Sequence, residues 1–189
     1  LIPRPETETL VSWALELALP ADARVLDLGT GSGAIALALA SERPGWRVTG
    51  VDASDEALAV ARRNAFELGL ERVDFKCSDW YQGVAGQRFH LLVANPPYVD
   101  PVDPHLEQGD VRFEPRSALV AAQAGLADLA ELVTGAPGHL HPGGWLLLEH
   151  GFSQGEAVRA SLQQAGFDEI ETRSDLAGME RSSGGRMHA

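Results

Sequence analysis

The chain predicts an α/β protein, a doubly wound and mostly parallel sheet with helices on both faces. Three observations carry this expectation. Short apolar runs alternate with longer segments of helical periodicity along most of the 189 residues. Runs such as Phe89-His90-Leu91-Leu92-Val93-Ala94 are near-continuously apolar, as strands buried on both faces are. Several of these runs end in glycine, carboxylate or Asn-Pro, residues that build ligand loops at the carboxyl ends of strands.

The elements follow in order. Glu6 to Leu19 reads as an amphipathic helix with Leu10, Trp13, Ala14 and Leu17 on one face. A strand at 24–28 runs into Gly29-Thr30-Gly31-Ser32-Gly33, and the Ala/Leu run at 34–42 is a helix. The glycines let the backbone approach a ligand with no Cβ in the way. Their Gly-x-Gly-x-Gly spacing is not the G-x-G-x-x-G of pyrophosphate binders, and no Gly-Lys-Ser/Thr follows, which argues against a triphosphate loop. A strand at 47–52 ends in Asp52, placed to accept from both ribose hydroxyls of an adenosine ligand. The competing role for Asp52 is a helix cap, but Ser54 and Asp55 are better placed to cap the helix at 55–68, whose apolar stripe is Leu58, Ala61, Ala65 and Leu68.

A third strand at 73–77 leads into Ser78-Asp79-Trp80. There the Trp80 indole can stack on a purine while Asp79 accepts from its exocyclic amine; otherwise Trp80 is a core residue beside a turn aspartate. The strand at 89–94 is stopped by Asn95-Pro96-Pro97-Tyr98, because proline cannot donate to a ladder and restricts the residue before it. Asn95 is thereby held extended at a strand's carboxyl end, where its amide can grip another planar NH2-bearing group. Taken alone, the motif also reads as a strand-ending turn with an exposed Asn and Tyr. Residues 99–119 form a long connection expected to rim the substrate site, with Phe113-Glu114-Pro115-Arg116 folding back towards Tyr98. A helix at 126–134, a strand at 145–149, a helix at 155–165 and a strand at 168–173 complete the pattern.

Composition bounds the function. One domain with an adequate core is expected, and no apolar segment approaches the ~20 residues of a membrane span. No signal peptide is visible, and the single Cys77 fits a reducing compartment; a cytoplasmic location is expected. No metal site is expected: the histidines lack ligand spacing except His139-x-His141, which sits beside the turn residues Pro142-Gly143-Gly144 and should face solvent. The net charge of -12, relieved only by the short Arg62-Arg63 cluster, disfavours direct nucleic-acid binding and favours a protein or small-molecule substrate.

Together, the glycine loop, Asp52, Trp80 and Asn95-Pro96-Pro97-Tyr98 resemble the class I S-adenosylmethionine-dependent methyltransferases, a Rossmann-like fold. Asn-Pro-Pro-Tyr is shared with adenine-N6 DNA and some guanine-N2 RNA methyltransferases, which remain the alternative. Ile2-Pro3-Arg4-Pro5-Glu6-Thr7-Glu8 and Arg112-Phe113-Glu114-Pro115-Arg116 narrow the resemblance to the protein-(glutamine-N5) methyltransferases of translation release factors.

That resemblance implies seven strands in the order 3-2-1-4-5-7-6, the seventh antiparallel. It implies S-adenosylmethionine as donor, S-adenosylhomocysteine as product, and a release-factor glutamine in a Gly-Gly-Gln loop as acceptor, with the enzyme a monomer. Donor binding falls to Gly29, Thr30, Gly31, Ser32, Gly33, Asp52, Asp79, Trp80 and Asn95. Asp27 either orders the loop or approaches the methionine amine. Acceptor binding and catalysis fall to Asn95, Pro96, Pro97 and Tyr98. Residues 1–189 would form the catalytic domain. Two departures from the family pattern stand out: the small helical domain usual before Arg-Pro-Glu-Thr-Glu is not in this sequence, and the polar, glycine-rich Met179 to Gly185 puts a well-packed final strand in doubt.

Overall fold

A computed structural model describes residues 7–98 and 125–188. The segment at 2–6, the connection at 99–119 and the Phe113-Glu114-Pro115-Arg116 motif lie outside the described residues. The chain opens on helix α1 (Thr7–Glu16), then β1 (Arg24–Leu28), α2 (Ala34–Glu42), β2 (Arg47–Asp52), α3 (Asp55–Glu67), β3 (Asp74–Cys77) and β4 (Phe89–Ala94). After the connection come α4 (Ala127–Gly135), β5 (Leu140–Glu149), α5 (Gly155–Gln164), β6 (Phe167–Ser174) and β7 (Glu180–Met187). The strands form one sheet in the order β3-β2-β1-β4-β5-β7-β6, with β7 antiparallel to both neighbours and the β1 to β5 pairings parallel.

Burial on both faces explains the apolar strands. Along β1, Val25 joins the layer under α1, α2 and α3, while Leu26 and Leu28 join the layer under α4 and α5. β4 alternates the same way, Leu91 and Val93 against Leu92 and Ala94. Phe89 breaks the parity because the ladder slips there: Phe89 faces Leu140, yet Leu91 faces Trp145. The extra residues on β5 are His141-Pro142-Gly143-Gly144. The strand therefore begins five residues before its expected start at 145, with the turn-forming residues absorbed in an irregularity where proline is tolerated. The flanking histidines are half-buried rather than solvent-facing, His139 stacked on Tyr81 at 4.4 Å and His141 against His90 at 4.6 Å.

α3 starts as expected, with the Ser54 side chain accepting from the Ala57 amide at 3.2 Å. Leu58, Ala61 and Ala65 are buried, but Leu68 lies past the helix and is exposed.

The doubted last strand forms, and its composition is a packing solution. β7 lies inside the sheet, where Ser182, Ser183, Gly184 and Gly185 are buried between larger neighbours. A Cβ on Gly184 would stand 2.7 Å from the Leu146 carbonyl oxygen and run into the Leu147 side chain. Polarity at Ser183 is absorbed by a directed chain. His150 Nδ1 must donate to the Gly151 carbonyl (2.9 Å), so its neutral Nε2 accepts from Ser183 Oγ (2.8 Å). Ser183 accepts from Thr172 (2.7 Å), and Thr172 from Arg159 Nη1 (2.8 Å). Burial holds His150 below the usual imidazole range, which favours the neutral ring this chain requires.

Candidate active site

The winding reverses at β1. From β1 the chain steps outward to β2 and β3, then returns to lay β4 on the other side of β1. The loops after these strands diverge there and leave a crevice. A cleft of about 660 Å³ opens at that point, a volume suited to a small-molecule ligand.

The glycine loop forms one wall. Gly29, Gly31 and Gly33 take φ of 71°, 55° and 83°, a left-handed alternation that side chains with a Cβ rarely adopt. The loop is pinned across β2 by the Thr30 amide on the Val51 carbonyl (2.8 Å) and the Gly31 amide on Asp52 Oδ2 (2.8 Å). Asp52 Oδ1 accepts the Ser54 amide at 2.9 Å. Each Asp52 oxygen thus holds one backbone donor and keeps a further lone pair, so the carboxylate can still meet a diol at the cleft.

Asp27 lies fully buried beneath the loop, where Oδ2 accepts from Thr30 Oγ1 (2.6 Å) and the Ala36 amide (3.1 Å). Of its two expected roles, these bonds perform the ordering of the loop. Burial pushes its carboxyl up to about 7, against the pull of those two hydrogen bonds and with the Asp52 charge adding to the rise. Its Oδ1 has no hydrogen-bond partner among the described residues.

Trp80 forms the facing wall. Its ring edge lies over Gly29, where an added Cβ would come within 3.2 Å of Trp80 Cζ3. Trp80 itself has φ of 42°, unusual for a bulky residue. Ser78 holds that turn, donating to the Trp80 carbonyl and accepting the Gly83 amide, both at 2.7 Å. Asp79 is exposed at the cleft and accepts from Gln82 Nε2 at 3.1 Å.

Asn95 closes the cleft from the end of β4, with Pro97 beside it and Pro96 buried behind. Of the residues expected at the site, Gly29, Gly31, Ser32, Asp52, Asp79, Trp80, Asn95 and Pro97 therefore line one cleft. Thr30 and Gly33 turn inward, Thr30 to Asp27 and Gly33 against Phe75, Ala61 and Leu37, so they shape the loop from below. Tyr98 packs against the α4–α5 layer, its hydroxyl 3.2 Å from Glu149 Oε1.

Three contributors escaped the sequence reading. Asp128, at the start of α4, lines the cleft, and burial followed by the Asp79 charge raises its carboxyl above the ordinary range. Thr7 and the fully buried Glu149 stand behind Asn95. Glu149 did carry a signal, since Leu146-Leu147-Leu148-Glu149 ends an apolar strand in a carboxylate just as Val51-Asp52 does.

The electrostatics select among nucleotide-like ligands. Asp52, Glu56, Asp79 and Asp128 line the cleft, and no lysine or arginine does so among the described residues. Such a wall repels a pyrophosphate and suits a cationic adenosine ligand. S-adenosylmethionine has the matching chemistry: a diol for Asp52, a purine for Trp80, and sulfonium and ammonium charges for the acidic wall.

Fold and cleft together define a class I S-adenosylmethionine-dependent methyltransferase, and the methyltransferase small domain family model matches residues 7–110. The chain is 54% identical over 186 residues to the release factor glutamine methyltransferase of Salmonella typhimurium strain LT2, covering 98% of this chain and 67% of that protein. It is 50% identical over 188 residues to the Escherichia coli K12 protein of the same name, covering 100% of this chain and 68% of that one. The crystal structure of the release factor-specific protein-(glutamine-N5) methyltransferase from Alicyclobacillus acidocaldarius superposes with a TM-score of 0.62 at 28% identity, covering 100% of this chain and 95% of that one. The chain belongs to the release factor glutamine methyltransferase family and spans about two thirds of the length of these curated relatives.

Proposed function

We propose that this chain transfers the methyl group of S-adenosylmethionine to the N5 side-chain nitrogen of a glutamine in the Gly-Gly-Gln loop of a peptide chain release factor. The observation that carries the reading is the shared cleft: Asn95 lies in the same crevice as Asp52, Trp80 and the glycine loop. The donor supplies an electrophilic methyl carbon. An amide nitrogen is a poor nucleophile, because its lone pair is delocalised into the carbonyl, so the protein's contribution is placement. Asn95 Oδ1 and the Pro96 carbonyl each accept one N–H of the acceptor amide, which pins the nitrogen and aims its lone pair at the cleft. Tyr98 covers the flat amide and excludes water. The gain is orientational and electrostatic. The proton leaves after transfer, when the methylated nitrogen is strongly acidic, so no side-chain base is needed.

In this reading Asp52 receives the ribose hydroxyls, Trp80 the adenine ring, and Asp79 its exocyclic amine. Residues 1–189 act as one catalytic domain, monomeric, in the cytoplasm, without direct contact to nucleic acid. No helix among the described residues is long and apolar enough to cross a membrane.

Incubation with labelled donor and a release factor, its Gln→Ala variant, duplex DNA or RNA tests the assignment. Label is expected on the wild-type factor alone; label on nucleic acid, or on the Gln→Ala variant at the wild-type level, overturns it. Within the same assay Asn95→Ala should lose ~10²–10³ in turnover, as removal of one positioned group does. Its donor affinity and melting temperature should stay nearly unchanged, since the lost contacts are to the acceptor.

A further inference from the structure

Asn95 does not stand alone at the end of β4. Its Nδ2 donates to Thr7 Oγ1 at 3.2 Å, and Thr7 Oγ1 donates to Glu149 Oε2 at 2.8 Å. The other Glu149 oxygen accepts from the Tyr98 hydroxyl at 3.2 Å. Behind Tyr98, its carbonyl accepts from Gln154 Nε2 at 3.0 Å, and Gln154 Oε1 accepts the Gly151 amide at 2.8 Å. The Asn-Pro-Pro-Tyr turn is therefore tied by side chain and backbone to the residues that follow β5, and by side chain to the first turn of α1.

The chain through Thr7 has only one workable direction. A hydroxyl carries a single hydrogen, and a carboxylate oxygen accepts. With that hydrogen on Glu149, Thr7 Oγ1 can only accept from Asn95, and only the NH2 end of the amide can satisfy it. If the Asn95 amide were reversed, Thr7 would have to spend its hydrogen on Asn95 Oδ1. Two oxygens would then face each other at 2.8 Å with no proton between them, one of them on a fully buried carboxylate. Leaving a buried charged group without its partner is costly. Glu149 thus decides which end of the Asn95 amide meets the cleft.

We infer that Glu149 and Thr7 are positioning residues for methyl transfer: through the chain Asn95–Thr7–Glu149 they lock the Asn95 amide with Oδ1 presented as the acceptor for the substrate N–H. The inference rests on the glutamine-methylation reading for its chemistry, but its structural core belongs to the protein without substrate. A freely rotating amide would offer its NH2 to the acceptor nitrogen for part of the time, and the productive fraction would fall. Misplacement of a positioned group costs up to ~10²-fold in rate.

The test combines Thr7→Val, Thr7→Ser and Glu149→Gln with steady-state kinetics on a release factor and side-chain amide NMR of 15N-labelled protein. Thr7→Val is expected to lower kcat by about 10- to 100-fold while donor Kd stays within about two-fold of wild type. Thr7→Ser, which keeps the hydroxyl, should restore kcat to within a few-fold. In an Asn95→Ala background, Thr7→Val should cost nothing further, because the group it positions is gone. The Asn95 Nδ2 protons should exchange slowly in wild type and Thr7→Ser and rapidly in Thr7→Val. Glu149→Gln, if it folds, should resemble Thr7→Val, since a primary amide accepts or donates at Thr7 and no longer dictates direction.

A wild-type kcat in folded Thr7→Val, an equal loss in the Asn95→Ala background, or unchanged Asn95 exchange would overturn the inference. Failure of wild-type enzyme to label the release factor would overturn the functional reading instead, and the exchange measurement would still decide this one.

Discussion

At the scale of single residues, two carboxylates a few ångströms apart in the sheet take opposite roles because their surroundings differ. Asp52 stands at the cleft with two backbone donors, while Asp27 lies beneath the loop in full burial. Asp52→Ala is expected to weaken S-adenosylmethionine binding by about 1–3 kcal/mol, the range for losing charge-assisted hydrogen bonds. Calorimetry on the folded variant checks this, and unchanged affinity would remove Asp52 from the donor site.

Asp27 should appear instead in the pH dependence of stability. Its folded carboxyl is raised to about 7 from 3.8, so between those values the folded state keeps a proton that the unfolded chain has released. The stabilisation is complete below pH ~4 and is lost as pH rises towards 7, at about 1 kcal/mol per pH unit inside the window. Asp27→Asn cannot ionise and should flatten that slope. Urea midpoints measured from pH 5 to 7.5 that ran parallel in the two proteins would contradict it.

At the scale of elements, β7 is the instructive case. Hydropathy judged it a poor strand, since Arg181 to Arg186 contains no aliphatic residue. Its place between β5 and β6 demands small side chains, because Leu146, Leu147 and Phe167 already fill the space on either side. Gly184→Ala is therefore expected to destabilise the protein by ~1–3 kcal/mol, the usual cost of overpacking a filled core. Donor affinity should hardly move, because β7 is remote from the cleft. A urea midpoint equal to that of wild type would show that the sheet can open enough to take the methyl group.

β5 makes a related point. Pro142-Gly143-Gly144 correctly marks a departure from regular geometry, but the departure is an irregularity in a strand pair that continues past it. Local turn chemistry announces that the backbone deviates; whether the neighbouring strand persists beyond is settled by that neighbour.

At the scale of the molecule, charge is the main theme. The net charge of -12 is matched by a cleft walled by Asp52, Glu56, Asp79 and Asp128. S-adenosylmethionine is a net cation and its demethylated product is neutral overall. Raising the salt concentration from ~0.05 to ~0.5 M shortens the screening length severalfold and should weaken donor binding more than product binding. Titration calorimetry of both ligands across that range provides the check, and equal salt dependence would mean that the acidic wall does not read the sulfonium charge. The same charge places phosphate backbones at a disadvantage and leaves a protein loop as the fitting acceptor.

Much of this molecule was determined by the sequence alone. The alternation of strands and helices, the glycine loop, Asp52 at the end of β2, Trp80 after β3 and Asn95 before two prolines all depend on neighbours within a few residues. Periodicity, turn preferences and the loss of a ladder donor at proline are local physics, and local physics can be read along the chain. Only the tertiary structure decided that β7 would form from serines and glycines, that Thr30 and Gly33 face inward, and that Thr7 and Glu149, 142 residues apart, would meet behind Asn95. Each of these depends on what stands opposite in space. A hydrogen bond between groups so distant along the chain leaves no pattern in either segment, because what selects each residue is the shape and polarity of a partner from elsewhere in the fold.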